Sequence, residues 1–220
     1  SSDLPTMYQP PAFREERVEI LHDFMRNHPL AVLVSPGPDG FEANHLPLLL
    51  AAQEGKFGLL SGHFAKANLL LQALEKAEDG LQVVAIFHGP QHYISPAWYP
   101  SKQVDGKAVP TWNYAAVHAH GVLRPLADAE RLRAHLDALS DTHEAGRAEP
   151  WATADAPAEF LSRMMKGITG FDITIERLEG KWKLGQNRDA ADRAGIRNGL
   201  AGEARAGAAE LAAIMPPEEP

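Results

Sequence analysis

A serine, a histidine and a lysine flank a glycine within six residues, in the segment 59–68 (LLSGHFAKAN). The apolar residues before them predict a strand, and the apolar spacing over residues 65–77 predicts a helix after them. Unpaired amides at a helix N-terminus bind anions, and a nearby cation strengthens the attraction. Ser61, Gly62, His63 and Lys66 therefore form a candidate phosphate site. A plain turn glycine and a solvated lysine explain the same pattern, and neither a Walker loop nor a dinucleotide-binding fingerprint occurs.

A proline interrupts a second predicted strand, in the segment Asn44-His45-Leu46-Pro47. Because proline has no amide hydrogen to donate to a sheet ladder, this strand is expected to be irregular or to lie at a sheet edge. Backbone groups left unpaired there suit the polar edge of a planar heteroaromatic ring. A plain edge strand with a bulge accounts for these residues equally well.

Residues 89–114 are rich in proline and aromatic side chains, show no periodicity and predict a long ordered loop. Such a surface suits a ligand lid or a subunit interface, and core packing beneath a loop is the alternative.

Histidine is frequent, with ten residues in the chain. His118 and His120 would share one side of a strand, but we find no HExxH motif and no nearby carboxylate, so no metal is predicted. No GxSxG elbow is present. His63 and His92 are candidates for acid–base chemistry because imidazole titrates near neutral pH, or else plain hydrogen-bonding residues. No catalytic residue is assigned.

The composition excludes several classes of function. The 220 residues include 21 basic and 29 acidic side chains, a formal net charge of −8, and no cysteine. A chain without cysteine has no disulfide scaffold, thiolate zinc site or cysteine nucleophile. An acidic chain without a basic cluster repels nucleic acid and anionic lipid. Because no apolar run reaches the roughly 20 residues of a membrane span and no signal peptide is evident, we expect a soluble cytoplasmic protein.

The elements that position these residues alternate between strands and helices. Helices are predicted over residues 14–27, 65–77, 128–142 and 157–165, with one or two more within 189–215, and Asp128 is the expected N-cap of the third. Strands are predicted over 30–34, 41–50, 56–61, 81–88, 117–126, 168–178 and 181–184, the last two joined as a hairpin by Glu179-Gly180. This pattern favours an antiparallel sheet curled into a barrel over a doubly wound parallel sheet. We expect one domain, with an N-terminal arm over 1–13 and a helical extension over 189–215.

Six segments in consistent order resemble the PaiB-type FMN-binding negative transcriptional regulators. They are residues 7–13 (MYQPPAF), 45–47 (HLP), 62–68 (GHFAKAN), 89–99, 109–114 (VPTWNY) and 181–188 (KWKLGQNR). The resemblance implies an α+β, mainly β, split β-barrel of the pyridoxamine-phosphate-oxidase-like kind with peripheral helices. It also implies FMN as cofactor and a homodimer with two flavin sites at the subunit interface.

The resemblance also implies roles for particular residues. Those that would bind FMN are Ser61, Gly62, His63, Lys66 and Asn68 at the phosphate, Asn44, His45, Leu46 and Pro47 along the flavin ring, and Trp112, Asn113, Gln186, Asn187 and Arg188 completing the pocket. Gly185 stands where the family pattern has serine, so the hydroxyl that would supply one ligand hydrogen bond is absent. The expected function is FMN binding with a flavin-dependent redox or sensing role. The alternatives are a haem-binding relative and a non-catalytic regulator without flavin, with DNA a partner by resemblance only.

Overall fold

A computed structural model describes residues 7–217, except the side chain of residue 105. The first six residues of the predicted arm and residues 218–220 lie outside the described part. The described strands are β1 (Arg14–Glu15), β2 (Leu30–Gly37), β3 (Gly40–Pro47), β4 (Leu49–Ala51), β5 (Leu59–Ala65), β6 (Leu81–Ile94), β7 (Thr111–Pro125) and β8 (Ile168–Lys183). They form one sheet in the order β3-β2-β6-β7-β8-β5-β4, and β1 pairs with β8.

The described helices are α1 (Val18–Asn27), α2 (Leu70–Glu75), α3 (Lys102–Asp105), α4 (Ala129–Glu144), α5 (Ala158–Met165), α6 (Ala190–Ala201) and α7 (Ala208–Ile214). The predicted cap of α4 is confirmed, because the Asp128 side chain accepts the amide of Arg131 at 2.8 Å. Helix α1 begins four residues later than expected, since Arg14 and Glu15 pair with β8 instead. Within residues 7–217, no helix has both the length and the apolar character that crossing a bilayer requires.

The chain forms two compact units. The terminal unit contains the described residues up to Phe24, His88–His118 and those from Glu179 onward. Its core is built by α6, α7 and their neighbours, where Ile94, Tyr99, Leu184, Ile196 and Leu211 are buried. The arm is tied to the end of β8, because Gln9 donates to the Gly180 carbonyl at 2.7 Å and Lys181 donates to the Tyr8 carbonyl at 2.7 Å.

The central unit comprises Met25–Phe87 and Ala119–Leu178. Strands β2 and β3 form the predicted hairpin, and β5 pairs antiparallel with both β4 and β8. Alternate residues of these strands point into an apolar core, where Phe64 and Phe171 lie with ring centroids 5.7 Å apart. Strand β3 ends the sheet order, so the prediction of an edge strand around Pro47 is confirmed.

The hairpin predicted at Glu179-Gly180 is wrong, because β8 runs unbroken from Ile168 to Lys183. Gly180 pairs with Glu15 across the ladder, and a Cβ there would lie 2.3 Å from the Leu21 side chain. The glycine therefore serves close packing of the arm and α1 within the terminal unit, and it makes no turn.

The long loop predicted over 89–114 is also wrong at both ends, since β6 continues to Ile94 and β7 begins at Thr111. The aromatic side chains of this region have different surroundings. Tyr99 is a core residue, whereas Trp112 and Tyr93 are 51% and 40% exposed and touch edge to face. Core packing thus explains some of these aromatic residues and not others.

Candidate functional site

The candidate phosphate segment lies on a strand, and the prediction that a helix opens at residue 65 is wrong. Strand β5 includes Ser61, Gly62 and His63 and pairs with β8 as far as Ala65. Helix α2 begins only at Leu70. Gly62 is needed in the core, because a Cβ there would lie 2.6 Å from the ring of Phe171. The amides of Lys66, Asn68 and Leu70 are hydrogen-bonded within the protein, so they are not free for an anion as the predicted helix start required.

The turn between β5 and α2 is held against the edge strand β3. The Asn68 side-chain amide donates to Asn44 Oδ1 at 2.6 Å, and Asn68 Oδ1 accepts the amide of Leu70 at 2.9 Å. Backbone bonds from Lys66 to Gly167 and from Asn68 to the Ala65 carbonyl fix the turn itself. Two segments that the resemblance assigns to one cofactor are therefore adjacent in the central unit.

Lys66 lines a cavity of about 550 Å³ in the central unit. Two further cations, Arg133 and Lys166, line the same cavity, and the carboxylate among its lining residues, Asp128, caps α4. The other lining side chains include Leu126, Leu132, Met165 and Ile168, with the hydroxyls of Ser162 and Thr169. The cavity is thus apolar with a cationic part, and its size is within the range of small-molecule sites.

Ser61 lies in a different cavity, of about 360 Å³, also in the central unit. Its hydroxyl donates to Asp172 Oδ1 at 2.7 Å, and Arg131 donates to Asp172 Oδ2 at 2.9 Å. Ser61 and Lys66 therefore do not line one common cavity. A phosphate beside Ser61 would also lie near a carboxylate, which disfavours an anion.

His63 contacts His135, a residue of α4 that sequence reasoning missed. His63 Nδ1 and His135 Nε2 are 3.1 Å apart, so one ring donates and the other accepts. Burial lowers the pKa of His63, while burial and the neighbouring His63 lower the pKa of His135 to about 4. Both rings are therefore neutral at pH 7. No local pattern in the sequence marks His135, since the contact joins residues 72 positions apart.

His92, the other acid–base candidate, is 5% exposed and stacks on Trp98. Its Nδ1 lies 2.6 Å from the Tyr93 carbonyl, an acceptor, so Nδ1 holds the proton. Nε2 is buried without a hydrogen-bond partner among the described residues. A ring enclosed in this way suits packing better than proton exchange with a substrate.

The remaining predicted residues belong to the terminal unit. The Gln186 side chain bridges its own turn, donating to the Trp182 carbonyl at 2.6 Å and accepting the amide of Leu184 at 2.8 Å. Asn113, Asn187 and Arg188 line a cavity of about 200 Å³ with Lys183 and Thr111. Three of the five residues are thus brought together, while Trp112 lies exposed and Gln186 holds the turn.

Gly185 has φ 85°, in the left-handed region that favours glycine. A Cβ there would lie 3.0 Å from Ile196 Cδ1 and 3.8 Å from Asn113 Nδ2. Glycine at this position, in place of the family's serine, therefore suits the left-handed backbone of the turn.

The expectation that no carboxylate lies near His118 is wrong. In the terminal unit, ligand atoms of His118 and Glu179 lie within 4.8 Å of each other. The Glu179 carboxylate also accepts the amide of Met7 at 3.1 Å. The sequence argument against a metal fails at this point, and the absence of a metal stays a prediction.

Comparisons with known proteins give a consistent answer. Residues 7–177 match the family model described as “Putative FMN-binding domain”. A protein of Emericella nidulans, named only as uncharacterized, is 34% identical, with 88% of this chain and 90% of that protein covered. “Protease synthase and sporulation protein PAI 2” of Bacillus subtilis is 31% identical, with 95% and 96% covered.

Among solved structures, the FAD and heme binding protein of Mycobacterium smegmatis superposes with a TM-score of 0.58 at 19% identity, covering 86% of this chain and 80% of that one. This likeness concerns the fold alone. With the antiparallel eight-stranded sheet, it confirms the predicted split-barrel fold.

Proposed function

Because this chain belongs to the family described as “Putative FMN-binding domain”, and FMN is accordingly its cofactor, we propose that its flavin serves a redox or sensing role. The family match and the Bacillus subtilis relative confirm the resemblance that the sequence motifs indicated. Bound FMN supplies electron and hydride transfer, and the protein supplies binding and orientation.

The contact between Asn68 and Asn44 is the single observation that carries the site. At 2.6 Å it ties the turn after β5 to the edge strand β3, and both segments belong to the predicted set. Edge-strand backbone from Asn44 to Pro47 offers carbonyl and amide groups to the polar edge of a flavin, as main-chain groups do in added-strand recognition. We therefore assign the flavin ring to this edge.

Lys66 is the proposed phosphate partner. It follows β5 directly, two residues before Asn68, and it lines the 550 Å³ cavity with Lys166 and Arg133. Arg133 is paired with Asp137 at 2.8 Å, so Lys66 and Lys166 are the lining cations that remain for a phosphate. Ser61 is hydrogen-bonded to Asp172 and His63 to His135. We therefore propose Lys66, and not these two residues, as the phosphate partner.

The test is to titrate Lys66→Met with FMN and, separately, with riboflavin, which lacks the phosphate. A lost charge-assisted contact costs about 1.5–3 kcal/mol, so FMN should bind about 10- to 150-fold more weakly. Riboflavin affinity should stay unchanged, because methionine keeps the length of the side chain. Lys76→Met, at the end of α2, is the matched control and should bind both ligands like the wild type.

Equal weakening of FMN and riboflavin in Lys66→Met would remove Lys66 from the phosphate site. The absorption spectrum of the purified protein tests the cofactor itself, since flavin absorbs in the blue and fluoresces, whereas haem gives a strong Soret band. A Soret band without flavin absorbance would favour the haem-binding alternative.

A homodimer is part of the proposal and fits the exposed aromatic pair Trp112 and Tyr93 in the terminal unit, whose rings lie 6.4 Å apart. Aromatic residues are enriched at protein–protein interfaces. A sensing role at such a dimer requires no acid–base residue.

Direct DNA contact finds no support in a chain of net charge −8.

A further inference from the structure

A cavity of about 200 Å³ is lined entirely by residues of the terminal unit. Drug-sized and cofactor ligands occupy cavities of roughly 300–1,000 Å³, so this one suits a ligand of only a few heavy atoms. The resemblance places Asn113, Asn187 and Arg188 in the flavin pocket, whereas the ring and phosphate sites proposed above use residues of the central unit. Resting on that proposed function, we consider an occupant of its own for the smaller cavity.

Asn113 is the reason to expect an occupant. The residue is 1% exposed, lines the cavity, and its Nδ2 has no hydrogen-bond partner among the described residues. A buried amide hydrogen without a partner is costly, and such groups in native structures usually meet a ligand or water. The orphaned atom is a donor, so its missing partner is a hydrogen-bond acceptor.

The charges around Asn113 specify what kind of acceptor. Lys183 and Arg188 line the same cavity, and no carboxylate does among the lining residues that the structure describes. Lys183 Nζ donates to the Trp112 carbonyl at 2.8 Å and to Thr111 Oγ1, which leaves one ammonium proton. Burial and the neighbouring Lys181 lower the pKa of Lys183, so an anion beside it would offset a real desolvation cost.

Arg188, five residues after Lys183 in the same segment, is the second cation of the cavity. Its guanidinium lies 4.7 Å from the centre of the Tyr99 ring, and its own amide bonds the Gly185 carbonyl at 2.9 Å. Gly185 has no side chain to fill the space next to Asn113 Nδ2. We propose that this cavity binds a small oxyanion, a carboxylate or phosphate group on a ligand of few atoms, through Asn113, Lys183 and Arg188.

The experiment uses FMN-saturated full-length protein, so that the flavin site is filled before any anion is added. Saturable binding is measured by isothermal titration calorimetry, with sodium phosphate and, separately, with sodium acetate at constant ionic strength. We expect one anion per chain for at least one probe, and which probe binds more tightly distinguishes a phosphate from a carboxylate ligand. Retained flavin absorbance, measured beforehand, reports on the flavin proposal independently.

Asn113→Leu is the decisive variant. It should weaken anion binding at least tenfold while raising the melting temperature of the anion-free protein, because an unsatisfied amide gives way to an apolar group of similar size. Arg188→Gln, whose side chain is half-buried, gives a second test if the leucine variant fails to fold, and it should also bind at least tenfold more weakly. Lys102→Met removes an exposed cation of the same unit that does not line the cavity, so this control should bind the anion normally.

Absence of saturable binding of both probes to the wild type would overturn the proposal. So would unchanged anion affinity in Asn113→Leu or Arg188→Gln, or equal weakening in Lys102→Met.

Discussion

The histidine pair in the central unit predicts a loss of stability in mild acid. The pKa of His135 is about 4 in the folded protein, against about 6.5 in an unfolded chain. Because the folded value is the lower one, the unfolded chain takes up its proton first as the pH falls. The contribution of His135 to stability is therefore complete above pH about 6.5 and is lost as the pH falls toward 4.

The size of this effect follows from the two pKa values. Their difference of about 2.5 corresponds to about 3.4 kcal/mol in total at 1.36 kcal/mol per unit, and proton linkage gives about 2 kcal/mol of this between pH 7.5 and pH 5. Solvent that reaches the pair at the half-buried His63 screens the new charge and reduces the expected loss to about 1–2 kcal/mol. His63, whose pKa is also lowered, adds to the loss in the same direction.

The assay compares urea unfolding of the wild type and His135→Gln at pH 7.5 and pH 5.0, at one fixed FMN concentration. Glutamine keeps a hydrogen-bonding side chain and does not titrate, so other acid-sensitive groups affect both proteins alike. Between the two pH values the wild type should lose about 1–2 kcal/mol more than the variant. Equal losses in the two proteins would refute the buried neutral pair.

Two further predictions concern the terminal unit. Gly185→Ser should lower the free energy of unfolding by about 1 kcal/mol or more, because φ is 85° and the new Cβ meets Ile196. Urea unfolding measures this loss. Gly146→Ser, at a glycine with the same φ in open space, is the control that separates backbone strain from the contact with Ile196. A serine variant as stable as the wild type would contradict the strained turn. Trp112→Ala should weaken the proposed homodimer by about 2 kcal/mol, roughly thirtyfold, as measured by analytical ultracentrifugation, whereas Trp151→Ala, also exposed, should not. A dimer of unchanged affinity would place the interface elsewhere.

Local signals in the sequence were sufficient for several elements of the fold. Asp128 before an apolar stripe predicts a cap, and its side chain accepts the Arg131 amide. Pro47 predicts an edge strand because the missing amide hydrogen is a property of the residue itself. Both inferences depend on interactions within a few residues, so no distant contact could overturn them.

The errors arose where distant contacts decide. Glu179-Gly180 has the composition of a turn, but Glu15 and Leu21 require an extended glycine at that place. Gly62 has the composition of a helix junction, but pairing with Phe171 prolongs the strand. These partners lie more than 100 residues away in the chain, and a local reading of composition contains no information about them.

The candidate site shows the same division. The resemblance supplied residues 44–47 and 61–68, and the contact between Asn44 and Asn68 joins the two segments. The resemblance assigned no role to His135, Lys166 or Lys183, which line their cavities from other elements. The lack of a hydrogen-bond partner for Asn113 Nδ2 results from how the side chains pack, so only the structure reveals it.

The sixteen residues of β8 determine when two earlier strands can fold. Its first half supplies the ladder for β5, and its end supplies the ladder for β1, near the start of the chain. During synthesis, β1 and β5 leave the ribosome long before β8 is made, so the edges that pair with β8 stay without that partner until then. Such late, long-distance closure slows folding and exposes nascent strands to other chains. We therefore expect truncation ahead of residue 168 to produce aggregates instead of a smaller stable protein.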